Sequence, residues 1–154
     1  MSGESIRTRL ARWGFNLWPC YRGTGGRVTF IASDWREIRV CLPLSWRTRN
    51  YVNTTFGGSL YGAVDPFFML MLMKNLGPGY VVWDKAASIR FRKPGRSTLH
   101  ATFRLDDSEL EEIRRLLQAQ PKVDRTYRIQ LEDKAGAVHV EVDKVIHIAL
   151  SRPS

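Results

Sequence analysis

At 154 residues, with 44% hydrophobic and 25% charged side chains, the chain has an ordinary globular composition that excludes a disordered or fibrous class. The length suits one domain over residues 1–154, large enough to bury a true core. A formal net charge of +9 points to an anionic partner, with nucleic acid, an anionic membrane surface and a polyphosphate ligand as the three classes to weigh.

Cys20 and Cys41 are too few for a disulfide framework and lack the spacing of a redox or zinc site, so both are expected as free thiols. The longest apolar run, Pro66 to Met73, is far short of the ~20 residues needed to cross a bilayer. No signal-peptide core follows the arginine-rich start, and the expected location is the cytoplasm.

Taken in chain order, residues 1–20 contain the first helix pattern. Between Ile6 and Trp18, the side chains Ile6, Leu10, Trp13 and Leu17 recur at helical spacing, with Arg7, Arg9 and Arg12 off that stripe. The stripe is expected to pack on the rest of the chain; the other use of such a basic amphipathic helix is as an anchor at a membrane surface. Gly26 to Ser33 and Ile38 to Leu44 then read as a hairpin about the turn-prone Ser33-Asp34, followed by a polar loop from Ser45 to Thr55.

Residues 56–76 form the one long segment that is apolar almost all round from Ser59 to Leu76, which places it inside the molecule as a central helix stopped by Gly77-Pro78-Gly79. Strand patterns follow at Tyr80 to Arg92 and Thr98 to Leu105, separated by Lys93-Pro94-Gly95. A surface helix is predicted over 107–119, where Ser108-Glu109-Leu110-Glu111 has the form of a capping box and Leu110, Ile113 and Leu117 share a face. Two last strands, Arg125 to Glu132 and Val138 to Leu150, flank Asp133-Lys134-Ala135-Gly136. An antiparallel sheet wrapped around one buried helix covers the apolar faces of both, giving an α+β fold of the hotdog type.

The stretch Gly57-Gly58-Ser59-Leu60-Tyr61-Gly62-Ala63-Val64-Asp65 resembles the start of the central helix in the hotdog acyl-CoA thioesterases of the phenylacetate-pathway type. With Pro66-Phe67, Val82-Trp83-Asp84-Lys85 and Phe91-Arg92-Lys93-Pro94-Gly95 it is similar to an uncharacterised branch of that superfamily. The resemblance implies an acyl-CoA or related thioester as substrate, no cofactor beyond the coenzyme A part of that substrate, a catalytic Asp65, and a homodimer or dimer-of-dimers homotetramer. It also implies that Arg90, Arg92, Lys93 and Arg96 lie near the nucleotide part of coenzyme A at the pocket mouth.

The residues themselves allow this chemistry. A helix N-terminus offers unpaired N–H groups, and glycine admits close approach, so the Gly58 N–H suits an oxyanion. Asp65 lies seven residues on, or roughly 10 Å along the axis, too far to act on the same carbonyl unless two subunits combine across a two-fold axis. Asp65 stands among Val64, Pro66, Phe67 and Phe68, and a carboxylate in apolar surroundings has its pKa raised, as suits a base, unless N–H donors hold it ionised. Activation of water and direct attack on the thioester both remain open.

Pro66 removes a helical bond, so either a kink at Asp65 that frees the Gly62 carbonyl or a helix break with Asp65 capping the second half is expected. Many relatives carry a polar residue or histidine just before the paired glycine, where this chain has Phe56, which would shift ligand orientation to Asn53, Thr54 or Thr55; Gly57 and Tyr61 complete the candidate binding set. Thr55 can equally serve as a helix cap.

Guanidinium groups at Arg90 and Arg92, on one strand face, suit phosphate oxygens, although charge on a strand edge also guards against aggregation. Phe67, Phe68, Met69, Met71 and Met73 suit either a core or the floor of an acyl tunnel. Trp83-Asp84-Lys85 carries no assigned role, Asp143 reads as a sheet-face residue, and His100, His139 and His147 lack metal-ligand spacing. Three functions follow in order: thioester hydrolysis, a non-catalytic acyl-CoA or lipid binder, and a basic nucleic-acid-binding domain, the last lacking any recognition motif.

Overall fold

The computed structural model describes residues 2–151. Its elements run α1 (Ile6–Leu17), α2 (Pro19–Thr24), β1 (Arg27–Ile31), β2 (Glu37–Leu42), α3 (Gly57–Gly62), α4 (Phe67–Leu76), β3 (Tyr80–Phe91), β4 (Leu99–Arg104), α5 (Asp107–Ala119), β5 (Lys122–Glu132) and β6 (Val138–Leu150). The strands form one antiparallel sheet in the order β1-β2-β4-β5-β6-β3, so β1 and β3 are its two edges. α3, α4 and the turn between them supply Leu60, Ala63, Val64, Phe67, Phe68, Met71 and Leu72 to the core, against inward strand residues such as Ile38, Phe103, Ile129 and Ile146. This is the hotdog arrangement.

Aromatic rings tie the layers together. Phe67 meets Tyr21 at 5.4 Å and Phe103 at 5.1 Å, and Phe68 stacks on Tyr127 at 4.6 Å. Burying each ring offsets its lost rotamer freedom, and edge-on or offset contacts add about 0.5–1.5 kcal/mol per pair. The Tyr21 hydroxyl donates to the Ala63 carbonyl at 3.0 Å, which pins α2 to the end of α3. α2 itself was not anticipated; Pro19 at its first turn and Gly25 in the left-handed region at φ 83° are its sequence signals.

Four expectations need correction. The segment 56–76 is two helices, because Pro66 has no N–H and the chain leaves helical bonding between Ala63 and Pro66. α5 occupies the predicted 107–119, but the capping box at Ser108 does not form: Asp106, two residues before it, holds the cap position with no side-chain bond, whereas the unforeseen box is at α1, where Ser5 and Thr8 exchange backbone and hydroxyl bonds. Thr55 does not cap α3, since Phe56 holds that position and the Thr55 hydroxyl donates to the Gly95 carbonyl.

α1 lies the other way round from its expected orientation. Its stripe points outward: Ile6, Leu10, Trp13 and Leu17 are 76%, 67%, 56% and 62% exposed. The helix instead docks through the small opposite face, with Thr8 buried and Ala11 and Phe15 packed on the core. Asn16 fixes it to β1 by bonding both the N–H and the carbonyl of Val28.

Candidate active site

The break between α3 and α4 presents Asp65 at a point where the backbone is released from helical bonding. Its side chain does not cap α4; it reaches Lys144 on β6, whose Nζ lies 2.7 Å from Oδ1 and 2.9 Å from the Asp65 carbonyl oxygen. The carbonyl that gains a donor is therefore that of Asp65, not the Gly62 carbonyl that a simple kink would have freed.

Lys144 also lies 2.9 Å from Asp84 Oδ2 and 3.5 Å from the Tyr61 hydroxyl, so one ammonium gathers two carboxylates, a carbonyl and a phenol. Three donors on one nitrogen suit such a hub. The lysine side chain is 1% exposed, against 42% for Asp65 and 30% for Asp84. Burial alone would lower the Lys144 pKa, but the bonds to Asp65 and Asp84 outweigh it and hold the ammonium above its ordinary value. Burial pushes the Tyr61 phenol up, with Asp65 beside it acting in the same direction.

Asp84 reaches Lys144 because β3 bulges there. Asp84 pairs with Ile146 and Ala86 with Val145, which leaves Lys85 as the extra residue, bonded outward to Asp124. A bulge re-aims side chains in this way. The expected environment of Asp65 is thus corrected: it is an ion-paired, partly open carboxylate rather than one enclosed by Val64 and Phe67.

Asp65 walls an apolar cleft of about 340 Å³ between α1–α2 and α4, lined by Phe15, Trp18, Tyr21, Pro66, Met69 and Leu70. Of the aromatic and methionine run, Phe67, Phe68 and Met71 are core, whereas Met69 faces this cleft and Met73 is exposed. A second cleft of about 400 Å³ gathers Thr54, Thr55, Gly57, Arg92 and Lys93 from the sequence-predicted set, together with Phe91.

Other candidates fall elsewhere. Asn53 sits at an exposed turn with φ 61°, and Arg96 is exposed without lining either cleft. Arg90 and Arg92 share the outer sheet face as predicted, yet their guanidiniums are engaged by Asp143 at 2.7 Å and Glu141 at 2.6 Å. Gly58 is exposed at the start of α3, and a side chain there would strike the Phe56 ring at 2.5 Å. His139 bonds Pro94 and Asp133, His147 bonds Asp124, and no cluster suited to a metal ion occurs among the described residues.

Lys144 and Asp84 are the site residues that sequence reasoning missed. The signal was present: Val140, Val142, Lys144, Ile146 and Ile148 alternate along β6, so a lone cation sits in the apolar register and demands partners.

The architecture has close counterparts among solved hotdog structures. A Pseudomonas aeruginosa protein of unknown function, described as a probable thioesterase, shares 18% identity over 97% of this chain and 100% of its own, with a TM-score of 0.81. The Haemophilus influenzae thioesterase HI1161 shares 11% over 97% and 94%, at TM-score 0.68. The Escherichia coli PaaI protein of the phenylacetic acid degradation operon shares 16% over 94% and 93%, at 0.63. The fold thus defines the class as a hotdog protein with thioesterase-named structural relatives. The chain belongs to the family of the domain of unknown function DUF4442, whose pattern matches residues 7–148. No curated protein matches the sequence.

Proposed function

We propose that this chain hydrolyses an acyl-CoA or similar thioester, with Asp65 as the catalytic carboxylate. One observation carries the reading: a carboxylate fixed at a helix break by a buried lysine stands on the wall of an apolar cleft. Lys144 engages Oδ1, so the other oxygen can take a proton from water or attack the carbonyl itself. In the water route the thioester C=O becomes an oxyanion that collapses to break the carbon–sulfur bond, and the proton taken up by Asp65 passes to the leaving thiolate. In direct attack the thiolate leaves as an Asp65–acyl anhydride forms, which water then hydrolyses, the proton from that water going to the thiolate.

The oxyanion donor in this reading is the Gly58 N–H of a second copy. Gly57 and Asp65 line different clefts of one chain, which supports a site assembled from two. The edge strand β3 supports pairing as well, since its unpartnered edge carries exposed Trp83 and Phe91. The acyl chain occupies the cleft floored by Met69 and Leu70, and Lys93 with Thr54 and Thr55 receives the nucleotide end.

A panel of acyl-CoA esters assayed for thiol release tests this directly. Asp65→Asn is expected to reduce turnover by about 10²–10⁴-fold while leaving the fold intact; an unchanged rate refutes the assignment. A second reading, non-catalytic acyl-CoA or lipid binding, is favoured by Phe56, an apolar ring beside Gly58 at the position expected to carry a polar ligand-orienting side chain. Thermal stabilisation by acyl-CoA with no thiol release from the wild type would decide for it.

A further inference from the structure

The outward stripe of α1 is a surface without a partner in the fold. At about 100° per residue, Ile6, Leu10, Trp13 and Leu17 fall within roughly 60° of one another, opposite Thr8, Ala11 and Phe15. Arg7 and Arg9 flank the stripe on either side.

Beside the stripe lies a cationic cleft of about 410 Å³, lined by Trp13, Arg22, Arg27 and Arg47 with no acidic side chain. Trp46 extends from its rim, 87% exposed. Residues 1–64 contain nine arginines against Glu4, Asp34 and Glu37. Glu4 pairs with Arg12 and Arg9, and Glu37 with Arg39 and Arg104. Among the described residues no carboxylate lies within 4.0 Å of Arg7, Arg22, Arg27 or Arg47.

We propose that α1 and the Arg22–Arg27–Arg47 cleft form a docking surface for an anionic lipid bilayer, with α1 lying in the plane of the interface. Aliphatic side chains between arginines, with tryptophans at the border, match the acyl and headgroup layers of such a surface. A second copy of the chain fits badly, because two such faces bring like charges together. A nucleic acid would use the arginines but leaves Ile6, Leu10 and Leu17 in water. α1 packs on β1, at the opposite edge of the sheet from β3, so pairing through β3 leaves it free.

The experiment is co-sedimentation of the full chain with vesicles of phosphatidylcholine alone and with added phosphatidylserine, over a range of salt. Binding is expected on the anionic vesicles only, weakening as salt rises, with a blue shift of tryptophan emission. Leu10→Glu with Trp13→Glu should lower partition by about tenfold or more, with an unchanged melting curve because both side chains are exposed. Arg22→Gln, Arg27→Gln and Arg47→Gln together should lower it on the order of a hundredfold, at roughly fivefold per arginine. No binding, equal binding to neutral vesicles, or indifference to the Leu10/Trp13 variant overturns the proposal. So does a fall in molar mass on making that variant, which would show that a second copy covers the stripe, or RNA binding without vesicle binding.

Discussion

On the outer face of β6, Glu141 and Asp143 lie among Arg92, Arg90 and Arg128 of the neighbouring strands, in reach of water. One residue further along, on the inner face, Lys144 holds Asp65 and Asp84 with its own charge sealed from solvent. The contacts have similar lengths and very different consequences. Exposed pairs are screened and exchange readily with water, so losing one changes little. A buried ammonium has no such recourse and dictates where its partners stand.

The asymmetry within the inner cluster sets the largest expected effects. Removing both carboxylates, Asp65→Asn with Asp84→Asn, strands a buried cation and should destabilise by about 3 kcal/mol, the low end for a broken buried pair because the partners are partly hydrated. Removing the cation instead, Lys144→Met, leaves acids that can turn to water and should stay within about 1 kcal/mol of wild type. Denaturant melts of the two variants decide the point, and equal losses would mean that burial of Lys144 is not what governs the cluster. Thiol release should fall in Lys144→Met although the fold survives, because Asp65 loses the contact that orients it.

The comparison also shows what a sequence can and cannot reveal. The strands and the β1–β2 hairpin were legible, because alternation and turn residues such as Ser33-Asp34 act locally, and β6 begins and ends where its pattern does; the β2–β4 and β3–β6 pairings join distant segments and were not. Asp65 stood out as a candidate through its glycines and its solitary charge. Its environment was not legible, since that depends on a lysine 79 positions away and on a bulge at Lys85 that turns Asp84 inward. The stripe of α1 shows the opposite limit: the period was read correctly, but periodicity alone does not say which face meets the core, and Thr8 with Phe15 took that place.

Smaller effects belong to the outer ladder. Arg90→Gln and Arg92→Gln should leave the melting temperature within the scatter of repeated measurements, since Asp143 keeps Arg128 and Glu141 keeps Gln130. Either substitution that weakened acyl-CoA binding without altering stability would show that these guanidiniums leave their carboxylates for phosphate.

The two faces should also fail at opposite ends of the pH scale. Lys144 has a folded pKa above 10.5, so its contribution is present below that value and lost as pH rises through the raised one; Lys144→Met should flatten the alkaline limb of the stability curve. Asp143 is held down to about 2 by its bonds to Arg128 and Arg90, from 3.8, so its contribution is present above 3.8 and disappears as pH falls through about 2. Asp143→Asn should therefore melt slightly below wild type at neutral pH and converge with it between pH 3.8 and 2. Added salt should shrink the neutral-pH difference, as screening of an exposed ladder requires. A gap that survives both acid and salt would place Asp143 with the buried charges rather than the hydrated ones, and the division between the two faces of β6 would not hold.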